Sequence, residues 1–163
     1  GYKYRVKRSQ RYFEGLRVLP QWGGSCFEPY FRRTFEAFIA LWKFQQQHRG
    51  ELEQVDGYNM QRYEIGDIAS KIGQLFYFYY LRTSNITSLN ESYIFYEAIR
   101  GRQYFKSSRA KPEQRMTVLQ KKLRFYARFV VVLLLKNYRA LVWTLLGELT
   151  RLVEEYKTLD AFG

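Results

Sequence analysis

The sequence has 163 residues, of which 47% are apolar and 19% aromatic, a composition that excludes a disordered chain. Its 27 basic and 15 acidic residues leave a net charge of +12, with basic residues dominating positions 1–50 and 101–163 and acidic ones dominating 51–100. This length suits one domain over 1–163, and the charge pattern suits an acidic protein segment, nucleic acid or an anionic surface as partner.

The first half of the chain predicts three helices. A basic amphipathic stretch predicts the first over 3–17, and a loop with Gly and Pro follows over 19–25. Ser25, with Glu28 three residues later, is typical of a capping box at the start of a second helix, and Gly50 is a suitable C-cap near its end. After a loop or short turn at 51–57, a third helix from about 61 to 82 is predicted by apolar residues three or four positions apart: Ile65, Ile68, Ile72, Leu75 and Tyr79.

The second half predicts three more helices. Residues 83–85 break the third helix, and a fourth is predicted over about 88–105, with Leu89, Tyr93 and Tyr96 facing the core. A basic loop leads to a fifth over about 113–135, and a sixth follows residues 136–137 and ends near Leu159. The apolar residues of the sixth that share one side are Leu141, Leu145, Leu149, Leu152 and Tyr156. We therefore expect an all-α fold of about six mostly antiparallel helices.

A weak repeat signal joins the third and fourth helices. The spacing of Ile72-Gly73, Phe76, Phe95 and Ala98 resembles that of a tetratricopeptide hairpin, although the connection is longer than in that repeat. The small Gly73 and Ala98 could instead only let two helices approach closely. Both interpretations stay open: a tetratricopeptide-like array of helical hairpins, or one close helix pair.

Nothing in the sequence predicts catalytic, cofactor or metal chemistry. His48 is the only histidine and has no cysteine or carboxylate cluster at ligand spacing, while Cys26 has no catalytic signature around it and no partner for a disulfide. Residues 22–25 lack the lysine of a phosphate-binding loop. The apolar run 129–135 is too short to span a membrane, and residues 1–19 lack the apolar core of a signal peptide. We expect a chain that is not an enzyme and does not insert into a membrane.

A basic helix face is the candidate binding surface. Lys121, Arg124 and Arg128 are three and four residues apart and share one face of the fifth helix, while Arg100 and Arg102 lie near the end of the fourth. A solvated face, a groove for an acidic peptide and a nucleic-acid surface all fit this pattern. We predict these five residues as partner contacts.

Four sequence strings resemble hallmarks of one protein family. They are LWKFQQQHR at 41–49, IASKIGQL at 68–75, YYLRTS at 79–84 and KKLRFYARF at 121–129. In this order they resemble the SCAI (suppressor of cancer cell invasion) family, and the similarity is clearest from residue 12 to about 135. Members of that family are much longer, so the chain resembles their N-terminal part.

The resemblance implies a non-enzymatic nuclear transcription cofactor, with the cytoplasm as a second location. The animal member of the family is a co-repressor of the myocardin-related coactivator that works with serum response factor, and it is linked to DNA double-strand-break repair and chromatin. The implied partners are transcription coactivators, repair or chromatin proteins, and the C-terminal region of the same protein. Direct nucleic-acid binding through the basic helix faces is the second hypothesis.

Overall fold

The computed structural model describes residues 1–20 and 24–162, and within them the fold is built from helices without strands. The α-helices in these ranges are α1 (Tyr2–Arg17), α2 (Glu28–Gln47), α3 (Arg49–Leu52), α4 (Arg62–Thr83), α5 (Ile86–Arg102), α6 (Arg115–Leu135) and α7 (Arg139–Phe162). Short 3-10 turns lie at Gly24–Phe27, Ser107–Arg109 and Pro112–Gln114. The all-α prediction is confirmed. No helix among the described residues is long and apolar enough to cross a membrane.

The long helices form three hairpins that stack on one another. The most extensive contacts join α1 to α2, α4 to α5 and α6 to α7. The first and second hairpins then meet where α2 packs on α4, and the second and third meet where α4 and α5 pack on α6. The architecture is therefore an array of antiparallel helical hairpins, which was one of the two interpretations that the sequence left open.

Local side-chain chemistry sets the ends of the middle hairpin. Gln61 and Glu64 form a capping box at the start of α4, where the Gln61 backbone N–H donates to Glu64 Oε2 at 2.6 Å. At the start of α5, Asn85 Oδ1 accepts from the Ser88 backbone N–H at 3.3 Å. Ser84 ends α4 in the left-handed region, with a φ of 56°, which turns the chain tightly into the cap of α5.

Several predicted boundaries were wrong. Helix α2 ends at Gln47, and Gly50 lies inside the short α3 rather than capping α2, because the chain continues from His48 into another helical turn. This turn includes the first two residues of the segment 51–57, which was predicted as a loop or short turn. The residue before α2 is Phe27, not Ser25; the side chain of Ser25, like residues 21–23 of the predicted loop, lies outside the described residues. The fourth predicted helix is shifted and spans Ile86–Arg102.

A close approach of α4 and α5 forms the centre of the array. The ring of Tyr96, fully buried, lies directly against Gly73, where an added Cβ would come within 2.6 Å of Tyr96 Cε1. Ser92 Oγ donates to the Gly73 carbonyl at 2.8 Å, and the rings of Phe76 and Phe95 stack with centroids 6.1 Å apart. The close approach predicted at Gly73 is thus present, and it occurs within a hairpin array.

Aromatic side chains make up much of the core around this contact. Tyr96 packs against Phe125 and Phe129 of α6, each with its ring centroid 5.7 Å from that of Tyr96. The predicted stripe of α4 is buried from Ile65 to Leu75. In α7 the predicted residues face the core: Leu145 and Leu152 are buried, and Leu141, Leu149 and Tyr156 are partly buried against it.

Candidate docking cleft

Helices α1, α4 and α6 line a cleft with a volume of about 350 Å³, called here the basic cleft. These helices are the first members of the three hairpins, so stacking of the hairpins brings them side by side. The residues that line the cleft are Gln10, Phe13, Glu14, Phe38, Asp67, Ser70, Lys71, Phe105, Lys121, Arg124 and Arg128. Basic side chains outnumber acidic ones among them by four to two.

The polar residues reach the cleft because of helical spacing. Asp67 and Lys71 are four residues apart and share one face of α4, and Lys121, Arg124 and Arg128 share one face of α6. The two faces meet because α6 packs on α4. Three of the five predicted partner contacts therefore line one cleft.

One cation of the cleft already has an anionic partner. Lys121 Nζ donates to Asp67 Oδ2 at 3.1 Å, and the two side chains are 28% and 35% exposed. This ion pair ties α6 to α4. It also neutralises Lys121, so this side chain offers less positive charge to a ligand than its sequence position suggested.

Lys71 lies deeper and is not paired in this way. Its Nζ lies 4.7 Å from the centroid of the Phe13 ring. Burial lowers the pKa of the Lys71 ammonium; Asp67 opposes this effect, while the charge of Arg128 adds to it. The sequence interpretation missed Lys71, although its spacing of four residues from Asp67 placed both on one face of α4.

Arg128 has a similar environment. Burial lowers the pKa of the Arg128 guanidinium, and the neighbouring Arg17 and Arg124 lower it further. Among the described residues, no carboxylate lies within 4.0 Å of the charged nitrogens of Lys71, Arg124 or Arg128. The cleft therefore holds cations that are partly withdrawn from water and have no direct anionic partner, an arrangement that favours an anionic ligand.

The other two predicted contacts lie elsewhere. Arg100 lines a second cleft, where its Nη2 donates to Glu148 Oε1 of α7 at 2.8 Å. Tyr126 OH donates to Oε2 of the same carboxylate at 2.7 Å. Arg102 is exposed at the end of α5, and its Nη1 donates to Tyr104 OH at 3.2 Å. The five basic residues therefore do not form one surface, since Arg100 serves an internal ion pair between hairpins.

A separate aromatic and basic cluster lies on the first hairpin. The guanidinium carbons of Arg33, Arg8 and Arg11 lie 4.6, 5.4 and 5.9 Å from the centroid of the Tyr12 ring. Arg8 Nε also donates to Tyr12 OH at 3.3 Å, and this hydrogen bond is the main cause of a lowered pKa for Tyr12. This surface combines the partly exposed ring of Tyr12 with positive charge.

Cys26 and His48 do not lie together in a metal-binding or nucleophilic site. Cys26 is exposed, and His48 Nδ1 lies 3.7 Å from Glu51 Oε2 at the surface. Over the described ranges, no three His, Cys, Asp or Glu side chains are close enough together to hold a metal ion.

The three stacked hairpins form one helical array with a basic cleft lined mainly by α1, α4 and α6. The chain belongs to the family described as Protein SCAI, whose profile matches residues 4–160. The resemblance in the four sequence strings is therefore confirmed.

The chain is similar to curated relatives from distant organisms. It is 53% identical to a Protein SCAI homolog of Dictyostelium discoideum over 155 residues, which are 95% of this chain and 20% of that protein. It is 50% identical to Protein SCAI of Mus musculus and of Homo sapiens over 153 residues, 94% of this chain and 25% of each relative. The chain thus spans a fifth to a quarter of the length of these relatives. No solved structure matches it.

Proposed function

We propose that this chain is a non-enzymatic protein-interaction domain of a nuclear transcription cofactor. The finer role that we propose is that of a co-repressor of the myocardin-related coactivator and serum response factor pathway, with a link to DNA double-strand-break repair. Family membership supports the cofactor role. The observation that carries the docking role is the pair of recessed cations, Lys71 and Arg128, without carboxylate partners in the basic cleft.

The chemistry of the cleft favours binding over catalysis. Its lining presents lysine and arginine side chains, which bind anions. Its two carboxylates also have cationic neighbours: Asp67 accepts from Lys121, and Glu14 lies 3.9 Å from Arg17. The cleft therefore offers a ligand cations rather than free carboxylates.

A second surface supports the proposal that the domain also packs against the C-terminal region of the same protein. The third hairpin exposes large apolar side chains, with Trp143 74% and Leu134 60% accessible. Others on this hairpin are Val131, Leu135, Leu146 and Val153. In the array each hairpin packs on the next, and the relatives contain much more chain than the matched region. Slower hydrogen exchange of α7 in a full-length family protein than in residues 1–163 alone would support this packing; equal exchange would contradict it.

Direct nucleic-acid binding is the alternative function. The cluster of Arg8, Arg11 and Arg33 around Tyr12 favours this function. In such a cluster a base can stack on the aromatic ring while the arginines bind the neighbouring phosphates. This surface lies on α1 and α2, away from the five residues of α5 and α6 that were predicted as partner contacts. Binding there would weaken steeply with salt.

A pull-down from nuclear extract tests both functions. The bait is this domain, with and without nuclease, followed by mass spectrometry. We expect transcription or repair proteins to remain after nuclease treatment and to be lost with the double variant Arg124→Glu and Arg128→Glu. The matched control is Arg32→Glu, a reversal at an exposed position of α2. Loss of all captured proteins on nuclease treatment would contradict the docking proposal, and loss of binding with Arg33→Glu would then point to the Tyr12 cluster.

The proposed nuclear location is tested by imaging a fluorescently tagged full-length protein. We expect the signal to lie mainly in the nucleus with a weaker cytoplasmic fraction. An exclusively cytoplasmic signal would contradict the cofactor role while leaving the docking role intact.

A further inference from the structure

We propose that the basic cleft binds an acidic segment of a partner protein, with Lys71 and Arg128 holding one inserted carboxylate. This inference rests on the proposed docking function and names the chemical class of the ligand. It is carried by the shape of the cleft, the charges on its walls and the burial of the two cations.

The floor of the cleft is closed by aromatic rings. Phe13, Phe38 and Phe105 line it, and they are only 1%, 2% and 3% exposed. The Phe13 ring, with its centroid 4.7 Å from Lys71 Nζ, covers one side of that cation. A hydrogen bond from Lys71 or Arg128 to a carboxylate is therefore stronger here than on an open surface, because the local dielectric is low.

The charges on the walls of the cleft are unbalanced, with four basic and two acidic side chains. Asp67 is already paired with Lys121 at 3.1 Å, and Glu14 lies 3.9 Å from Arg17 at the rim. Lys71 and Arg128 place two like charges on the walls of one cleft, and the charge of Arg128 adds to the burial that lowers the pKa of Lys71. A carboxylate bound by both groups would offset this repulsion and accept charge-assisted hydrogen bonds from them.

The same geometry argues against nucleic acid as the ligand of this cleft. Bases stack on exposed ring faces, and the three rings of the floor have none to offer. A volume of about 350 Å³ admits a few side chains, whereas a duplex backbone needs a broad, open basic surface. An Asp or Glu side chain from a partner reaches recessed cations that a nucleic-acid backbone cannot.

Selection from a library of short random peptides tests this inference without a known partner. We expect the peptides selected on the wild-type protein to be enriched in Asp and Glu. The selected consensus peptide should lose affinity by roughly tenfold or more on Lys71→Met, which keeps the methylene stem but removes the charge. The matched control, Arg32→Met, removes a charge outside the cleft and should change affinity by less than about twofold. Circular dichroism verifies that both variants are folded.

Three outcomes would overturn the inference: no selected peptides, selected peptides without an acidic bias, or an affinity that Lys71→Met leaves unchanged. A single-stranded DNA oligonucleotide that bound more tightly than the peptide, and depended on Lys71, would overturn it in favour of nucleic acid. The pull-down separates this inference from the docking function. If Lys71→Met captures the same nuclear proteins as the wild type, docking stands and acidic recognition by this cleft is wrong.

Discussion

Gly73 is the residue whose substitution tests the packing of the array most directly. In Gly73→Ala, the new Cβ would lie 2.6 Å from Tyr96 Cε1 and 2.9 Å from Cδ1. Ordinary carbon contacts begin near 3.5 Å, so the ring must move by about 1 Å. It has little room to do so, because Tyr96 is fully buried against Phe125 and Phe129. The α4–α5 contact must therefore open.

The expected change in the free energy of unfolding combines two opposing effects. Overpacking of a rigid core costs about 3 kcal/mol at the upper end of the usual range. Replacing a helical glycine by alanine returns about 1 kcal/mol of helix propensity. We expect Gly73→Ala to lower the free energy of unfolding by about 2 kcal/mol, which in a domain of this size lowers the melting temperature by roughly 4–8 °C.

The matched control is Gly147→Ala in α7. Nothing lies within 4 Å of a Cβ at Gly147, so only the propensity gain remains. We expect this variant to be more stable than the wild type by up to about 1 kcal/mol. Thermal and urea unfolding followed by circular dichroism measure both variants. If Gly73→Ala were as stable as Gly147→Ala, the close approach of α4 and α5 would not constrain the fold, and the reasoning would be refuted.

Three further predictions concern ionic groups. Burial by itself raises the pKa of Glu148, but hydrogen bonds from Arg100 and Tyr126 outweigh burial and hold the pKa below its usual 4.5. The ionised Glu148 therefore stabilises the fold at pH values above 4.5, and this stabilisation is lost as the pH falls through the lowered pKa. Urea titrations across this acidic range should show a shallower loss of stability in Glu148→Gln; an unchanged profile would contradict the assignment. Arg82→Lys should lower the free energy of unfolding in urea by about 1 kcal/mol, because lysine cannot replace the guanidinium group that donates to two loop carbonyls at 2.8 and 3.2 Å. An unchanged free energy of unfolding would show that these two hydrogen bonds contribute nothing to stability. Lys71→Met should stabilise the fold by on the order of 1 kcal/mol. Because the pKa of Lys71 is lowered in the folded protein, the unfolded chain binds more protons than the folded one between that pKa and 10.5. The free energy of unfolding of the wild type should therefore rise with pH in this range, and that of Lys71→Met should not. An equal rise in the two proteins would exclude Lys71 as its source.

Helical periodicity made most of the fold predictable from sequence. The three- and four-residue spacing in α4 and α7 predicted both helices and their buried sides, because one face of each helix must be apolar to pack. Helix ends were less predictable. Gly50 had the right chemistry for a C-cap, yet the chain continues into α3, since a glycine can also be accommodated in a short helical turn.

The candidate site was only partly predictable. The face shared by Lys121, Arg124 and Arg128 follows from their spacing on one helix. The anionic partner of each cation does not follow from spacing, because such a carboxylate can belong to a helix that is distant in sequence. Asp67 of α4 neutralises Lys121, which sequence alone placed among the free cations.

The sequence by itself determined the family, the all-helical class and the residues that share each helix face, since these depend on local patterns and on collinear similarity. Only the tertiary structure decided which of the basic residues act together. Stacking of the hairpins brought Lys71 beside Arg128 in one cleft and turned Arg100 towards Glu148 in another. Charge becomes available to a ligand only where the fold leaves it without an internal partner, and that depends on contacts between helices far apart in the chain.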